Sequence, residues 1–276
     1  MYYLAVDIGA SSGRHILGSV ENGKITIEEV YRFKNGNITK NGHLCWDIDR
    51  LFAEIKNGMK KCAEIGKKPI SMGIDCFGVD FVLLDKNNNI LGDTVAYRDS
   101  RTEGMQEAVF KLIPERTLYE RTGLQSLIFN TIYQLYSVKT TSDYLDEAVS
   151  FMQLPDYFHF LLTGVIKNEF TNGSTTQLIN ADTKKFDGEL LDKLGIPKEI
   201  FQTPSMPGTL VGKLKEEIQM ETGLDCEVVL PATHDTAAAV MAVPTEEECI
   251  YISSGTWSLM GTLLKTANTS VEGMKA

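Results

Sequence analysis

The apolar positions of this chain switch repeatedly between strand and helix periods along its length. Residues 2–8 form a short, mostly apolar run, the pattern restarts over 14–20, and Ile25, Ile27 and Val30 alternate with polar neighbours over 24–33. Short apolar runs separated by turn residues, here Gly9 to Gly13 and Asn22-Gly23, predict three strands of a β-meander. Leu51, Ile55, Met59 and Cys62 then recur at helical spacing, with Asp47 or Asp49 placed to cap that helix. A buried strand follows over 71–77, then an apolar run over 79–84 and a turn at 87–89. From 100 to about 201 the pattern reads as mainly helical, most clearly at 127–138 and 156–162. It is broken at Thr163-Gly164 and by the polar run 171–177. Beyond Pro204 and Pro207 come a helix over 213–222, a strand over 226–230, an Ala-rich helix over 234–243, and strands over 250–253 and 256–264. The order predicts an α/β chain, a mixed sheet with a helical cap. Because a new α/β unit has barely begun near Glu248, residues 1–244 read as a first domain and 245–276 as the incomplete start of a second.

Composition narrows the class. With 276 residues, 43% hydrophobic and 23% charged, the chain can bury a full core. Its 27 basic against 37 acidic residues give a net charge of -10, which opposes nucleic acid and anionic membranes as partners. No apolar stretch approaches the ~20 residues of a membrane span, and no leader is recognisable, so a cytoplasmic location is expected. Five cysteines without C-x-x-C spacing and four histidines without paired spacing argue against a disulfide framework or a zinc site. Reduced, mostly buried thiols are expected.

Two glycine-hydroxyl corners carry candidate chemistry. The first, Asp7-Ile-Gly-Ala-Ser-Ser-Gly-Arg, fits neither the P-loop nor the dinucleotide fingerprint. Asp7 ends a strand where its carboxylate can reach a Mg²⁺ that bridges two phosphates; the alternative is an Asp that caps a tight turn. The second corner, Ser253-Ser-Gly-Thr-Trp-Ser, lies between two late strands. If the corners belong to different domains, they can face across a cleft and hold one nucleotide's phosphates, with Thr256 and backbone N–H groups as donors. Between them, Pro231-Ala-Thr-His-Asp-Thr-Ala ends a strand and opens a helix. Asp235 there sits near the positive end of the helix dipole, ionised and available as a proton acceptor; the alternative is a first-turn dipole partner with Thr233 as the N-cap.

Taken together, Asp7-Ile-Gly-Ala-Ser-Ser-Gly-Arg, His234-Asp-Thr and Ser254-Gly-Thr-Trp-Ser resemble the FGGY carbohydrate kinases. Further motifs resemble the members that act on L-rhamnulose: Gly78-Val-Asp-Phe-Val-Leu-Leu-Asp, Ala96-Tyr-Arg-Asp-Ser-Arg, Phe129-Asn-Thr-Ile-Tyr-Gln-Leu, Leu154-Pro-Asp-Tyr-Phe and Thr171-Asn-x-Ser-Thr-Thr-Gln-Leu. The resemblance runs to about Met260. It implies the actin and hexokinase superfold, in which two ribonuclease-H-like domains close on Mg-ATP and sugar, here as a first domain with helical insertions and the start of a truncated second. It implies transfer of the ATP γ-phosphate to the C1 hydroxyl of L-rhamnulose. Ala10, Ser11, Ser12, Gly13 and Arg14 would form the first ATP-phosphate loop, with Asp7 toward Mg²⁺ and Thr256 touching ATP from the second domain. Asp235 would be the general base, and Gly78, His234, Asp235 and Thr236 the ketose site. Phe77 stands where many relatives carry Trp, which keeps an aromatic wall without the indole N–H. The adenine-binding residues of the family's later portion lie outside this chain.

The remaining polar features have plainer readings. Arg98, Asp99 and Arg101 either contact substrate or a neighbouring subunit, or form a local ion-pair network. Trp46-Asp47 reads as packing at a helix entry, and Tyr133 with Tyr136 as a core helix face. The alternatives to an L-rhamnulose kinase are a fuculokinase- or xylulokinase-like specificity, an inert fragment, or a non-enzymatic sugar or nucleotide sensor. A pure sensor has no need of Asp235 beside a phosphate loop.

Overall fold

In the computed structural model, which describes residues 1–244, 247, 249–255 and 258–275, the three opening strands form the meander that their alternation predicts. β1 (Tyr2–Ile8) pairs antiparallel with β2 (Ser12–Glu21), and β2 with β3 (Lys24–Lys34). The β2–β3 turn places Asn22 and Gly23 in the left-handed region, at φ 51° and 74°, the geometry that a two-residue hairpin loop demands. A short hairpin of β4 (Ile38–Lys40) and β5 (His43–Cys45) leads to α1 (Ile48–Glu64), capped by Asp47, whose carboxylate accepts from the Arg50 N–H at 3.0 Å. The helix returns the chain to β6 (Pro69–Cys76), parallel to β1.

Beyond β6 lie β7 (Phe81–Leu84), α2 (Met105–Leu112), α3 (Glu115–Thr122), α4 (Thr131–Thr141), β8 (Ser150–Gln153), α5 (Leu154–Thr163), α6 (Phe170–Ser174) and α7 (Gly188–Leu194). The chain re-enters the sheet through β9 (Leu210–Lys213), α8 (Glu216–Thr222) and β10 (Glu227–Val229), and continues as α9 (Asp235–Met241), β11 (Ile250–Ser254), β12 (Ser258–Thr262) and α10 (Val271–Lys275). The main sheet has six strands in the order β3-β2-β1-β6-β10-β9, with β1, β6 and β10 parallel. Among the described residues no helix is long and apolar enough to cross a membrane.

Side-chain alternation gives the sheet two unlike faces. Leu4, Val6 and Ile8 of β1 and Met72, Ile74 and Cys76 of β6 are buried beneath Leu51, Ile55 and Met59 of α1 and Phe158 of α5. The intervening Tyr3, Ala5 and Asp7, and across from them Ser71, Gly73 and Asp75, point to the opposite face and are only half-buried or exposed. A second core lies among α2, α4 and α7, and the antiparallel pair β7–β8 separates the two. Val82 and Leu84 pack into the sheet core, Phe81 and Leu83 into the helical one.

Several sequence expectations change. β8 lies where helix was expected: all four of its residues are buried, so no polar alternation marks it. The helix expected over 213–222 begins at Glu216, after the unexpected strand β9. The helix expected from 127 begins at Thr131, because the Asn130 side chain accepts from the Leu127 N–H at 2.6 Å and turns the chain before it. Much of the polar run 171–177 is helical, as α6 with Glu169 as its N-cap. All five cysteines are free, four of them buried.

Candidate active site

The first corner is built by β1 and β2. The Gly9 N–H donates to the Ser12 carbonyl at 3.0 Å, and Asn35 staples the loop: its side chain donates to the Gly9 carbonyl at 2.8 Å and its N–H to the Ser11 carbonyl at 2.9 Å. Arg50 of α1 holds the Asn35 Oδ1 at 3.0 Å from behind. Both loop carbonyls are thus turned toward Asn35, a disposition compatible with an anion on the other side. Ser11 is exposed, Ser12 half-buried and Ala10 buried. Gly13 does not bend the hairpin: a Cβ there would lie 2.1 Å from the Phe33 ring, so its role is close packing. Arg14, directly across from Asp7 in the register, puts Nε 3.1 Å from Asp7 Oδ2, a charge contact without hydrogen-bond alignment.

Asp235 comes to the same end of the sheet from β10, through a bridge between Cys76 and His234 and a bond from the Cys76 N–H to the Thr233 carbonyl at 2.9 Å. The segment is clamped by Glu169, which is fully buried and accepts five hydrogen bonds, from the N–H and hydroxyl of Thr171, the Asn172 N–H, and the N–H and hydroxyl of Thr233. The N-cap of α9 is His234, not Thr233, whose hydroxyl is committed to Glu169. At seven residues α9 carries little dipole; the Asp235 carboxylate is held instead by the Thr236 N–H at 2.6 Å, with the Thr236 hydroxyl at 3.3 Å and His234 Nε2 at 3.6 Å. Burial holds the His234 imidazole below its usual pKa, against the pull of Asp235 and Glu169. The Asp235 side chain keeps 38% of its surface open.

Asp75, which sequence reasoning missed, completes an acidic group. It pairs with Asp7 in the β1–β6 register, and Asp7 and Asp75 each feel the charge of Asp235. Burial and that mutual repulsion raise Asp75 well above the ordinary carboxylate range; burial also raises Asp7, opposed by Arg14. Asp75 Oδ1 is buried without a hydrogen-bond partner. Oxygen-only, acidic and short of a counter-charge, the group fits Mg²⁺ in chemistry. Among the described residues no three His, Cys, Asp or Glu side chains stand close enough to ligate a metal unaided, so a Mg²⁺ here would take one or two carboxylates and complete its shell with phosphate and water.

Gly78 follows β6. A Cβ there would lie 3.0 Å from the Thr175 side chain, so its first structural duty is to admit the end of α6. Phe77 stacks on Trp46, centroids 4.5 Å apart, and meets Tyr97 at 6.1 Å, which meets Phe129 at 5.7 Å. This aromatic wall leads into a cavity of about 460 Å³ lined by Tyr97, Arg98, Asp99, Ser100, Ile128 and Phe129, a size suited to a small ligand. Asp99 and Arg101 form a local network: Asp99 accepts from the Leu44 N–H and from His43, and Arg101 donates to Gln134 at 2.6 Å. The second corner connects β11 and β12; Thr256 falls outside the described residues, and Ser254 and Ser258 face each other at 3.4 Å.

The site is thus a meander-and-crossover sheet with acids at the carboxyl ends of β1 and β6. The profile of the FGGY family of carbohydrate kinases, N-terminal domain, matches residues 2–242, and the chain belongs to that family. It is 55% identical over 261 residues to a rhamnulokinase of Halalkalibacterium halodurans, covering 94% of this chain and 56% of that protein. It is 53% identical to a rhamnulokinase of Oceanobacillus iheyensis, covering 94% and 55%. Among solved structures, a carbohydrate kinase from Novosphingobium aromaticivorans superposes with a TM-score of 0.79 at 19% identity, over 98% of this chain and 58% of that one. A xylulose kinase from Lactobacillus acidophilus gives 0.73 at 22% identity, over 84% and 48%. These structures share the fold, the actin and hexokinase type that the motifs imply. The chain spans about half the length of the curated relatives it matches.

Proposed function

We propose that this chain is the sugar- and phosphate-binding part of an ATP-dependent kinase that phosphorylates the C1 hydroxyl of L-rhamnulose, giving L-rhamnulose 1-phosphate and ADP in the cytoplasm. Residues 1–244 form its N-terminal domain and 245–276 begin the C-terminal one. The observation that carries this reading is the Asp235 carboxylate, half-open and clamped through Glu169 at the sheet end that also holds Asp7. Identity of 53–55% to rhamnulokinases, against 22% to a xylulose kinase, favours L-rhamnulose over other ketoses.

In the proposed reaction the C1 oxygen attacks the γ-phosphorus, the bond to the β–γ bridging oxygen breaks, and the hydroxyl proton passes to Asp235. A carboxylate base suffices because the transition state is loose and the proton leaves late; positioning supplies most of the acceleration. Ala10, Ser11, Ser12, Gly13 and Arg14 form the phosphate corner, Thr256 its counterpart, and Gly78, His234 and Thr236 orient the ketose. Bound Mg²⁺, reached from Asp7, would neutralise phosphate charge.

The test is ketose-dependent ADP release over L-rhamnulose, L-fuculose and D-xylulose. It is measured on the 276-residue chain and on the same chain joined to the C-terminal half of the Halalkalibacterium halodurans relative. L-rhamnulose should be preferred, and a preference for another ketose defeats the specificity. Asp235→Asn should preserve L-rhamnulose binding and lower turnover by about 10²–10⁴-fold; near-normal turnover would refute the base.

A further inference from the structure

Val79 holds an unusual backbone for a β-branched residue, φ 70°, in the left-handed region. Such a conformation is strained, persists only where the surroundings over-determine it, and concentrates at functional sites. The surroundings here are specific. The Val79 N–H donates to Thr175 Oγ1 at 3.0 Å, and its carbonyl accepts from the Thr131 hydroxyl at 2.6 Å and from Gln134 Nε2 at 3.3 Å. The strained residue separates Gly78 from Asp80, a carboxylate with only 1% of its surface exposed.

Asp80 ties together three segments that carry the aromatic wall. Its Oδ2 accepts from the Trp46 indole N–H at 2.6 Å and from the Tyr97 N–H at 3.1 Å, and its Oδ1 accepts from Gln134 Nε2 at 3.2 Å. Gln134 also donates to the Phe129 carbonyl at 2.9 Å. Trp46, Tyr97 and Phe129 are the rings that back, flank and extend Phe77. Asp80 binds two of their segments directly and the third through one side chain. Burial pushes its carboxyl up to about 6, held down by these same donors and by the more distant Arg101.

We propose that Asp80 is a positioning residue that sets ketose selectivity by fixing the Trp46–Phe77–Tyr97 wall beside Gly78. The proposal rests on the ketose site described above. Asp80 touches no substrate; it acts through the rings. An amide at this position would place an N–H against donors, so Asp80→Asn should release part of the wall while keeping size and shape.

Two readouts on the 276-residue chain decide the matter. Near-ultraviolet circular dichroism, recorded in a Trp257→Phe background so that Trp46 is the sole indole, should lose aromatic intensity in Asp80→Asn while the far-ultraviolet spectrum is kept. Calorimetric titration should show L-rhamnulose affinity falling by about tenfold to a hundredfold, with a smaller loss for D-xylulose, so that selectivity narrows. Trp46→Phe, which keeps a ring but removes the N–H, should shift titration the same way by less, and serves if Asp80→Asn does not fold. Unchanged aromatic spectra in Asp80→Asn, or unchanged affinity and selectivity in the folded variants, would overturn the proposal. A wild-type chain that binds no ketose would defeat the ketose reading and the selectivity claim with it, and the dichroism would still decide whether Asp80 orders the rings.

Discussion

The two glycine-hydroxyl corners are alike in sequence and unlike in support. Gly9 to Ser12 joins two strands of a six-stranded sheet, is stapled by Asn35 and Arg50, and has the Phe33 ring packed against Gly13. The later corner joins β11 and β12 in a two-stranded ribbon whose Ile250, Ile252 and Met260 are largely exposed. A local motif can specify a turn, but an isolated pair of strands is marginal in water, and the rigidity that a phosphate site needs comes from the layers around it. The difference teaches that the layers around such a loop, and not its own residues, set how firmly its flanks are held. Substitutions near the first corner should therefore carry large penalties, and those on the ribbon small ones.

The largest effect is expected at Glu169, which secures the Asp235 segment next to the first corner. Glu169→Ala leaves donors of Thr171, Asn172 and Thr233 unpaired inside the protein, at about 1–3 kcal/mol each. A loss of at least about 3 kcal/mol is expected in urea unfolding. A loss below about 1 kcal/mol would mean that the clamp is not what supports this end of the sheet.

Acid should sharpen the contrast next, because His15 and His159 lie under the sheet of the first corner and the ribbon strands contain no histidine. Burial lowers His15 to about 4, despite Glu54 nearby and the bond to the Ile55 carbonyl, and lowers His159 to about 3. Both rings fold neutral, so their contribution is complete above pH 6.5, the unperturbed value, and is lost as pH falls toward those folded values. Each costs about 1.4 kcal/mol per pH unit within that window. The buried Asp75, Asp80 and Asp156, all raised, act in the opposite direction, so the histidine effect is read as a difference between proteins. His159→Gln keeps an acceptor for the Ile74 N–H, which His159 Nε2 receives at 3.0 Å, and removes the titration. Its stability relative to wild type should rise steadily from pH 6.5 to 4; a constant difference would contradict the assignment.

How much of this was legible in the sequence follows from what each segment packs against. The meander and α1 each face one core and one open side, so their periods survive in the residue pattern, and Asp47 could be read as a cap. β7 and β8 are buried on both faces between two cores, which erases alternation and left β8 inside an apparently helical stretch. The polar run 171–177 looked like a break because hydroxyl and amide side chains usually face water; here Thr171, Asn172 and Thr175 serve buried partners. Asp75 left one signal, a lone acid in an apolar strand at the parity that brings it beside Asp7. Glu169 left only a single acid before Phe170, and its importance depends on Thr233, 64 positions away.

Two smaller substitutions test the comparison at the corners themselves. Gly13→Ala places a methyl 2.1 Å from the buried Phe33 ring, so either the ring or β2 must shift, and a loss of about 1–3 kcal/mol is expected. Pairing it with Phe33→Leu, which vacates part of that space, should recover some of the loss; no recovery would place the strain elsewhere. On the ribbon, Ile252→Ala removes a side chain that is 70% exposed, and urea unfolding should change by no more than about 0.5 kcal/mol. A loss approaching that of Gly13→Ala would show that Ile252 is covered in solution. The later corner would then rest on apolar packing of its own, and the contrast between the two would reduce to which surface does the covering.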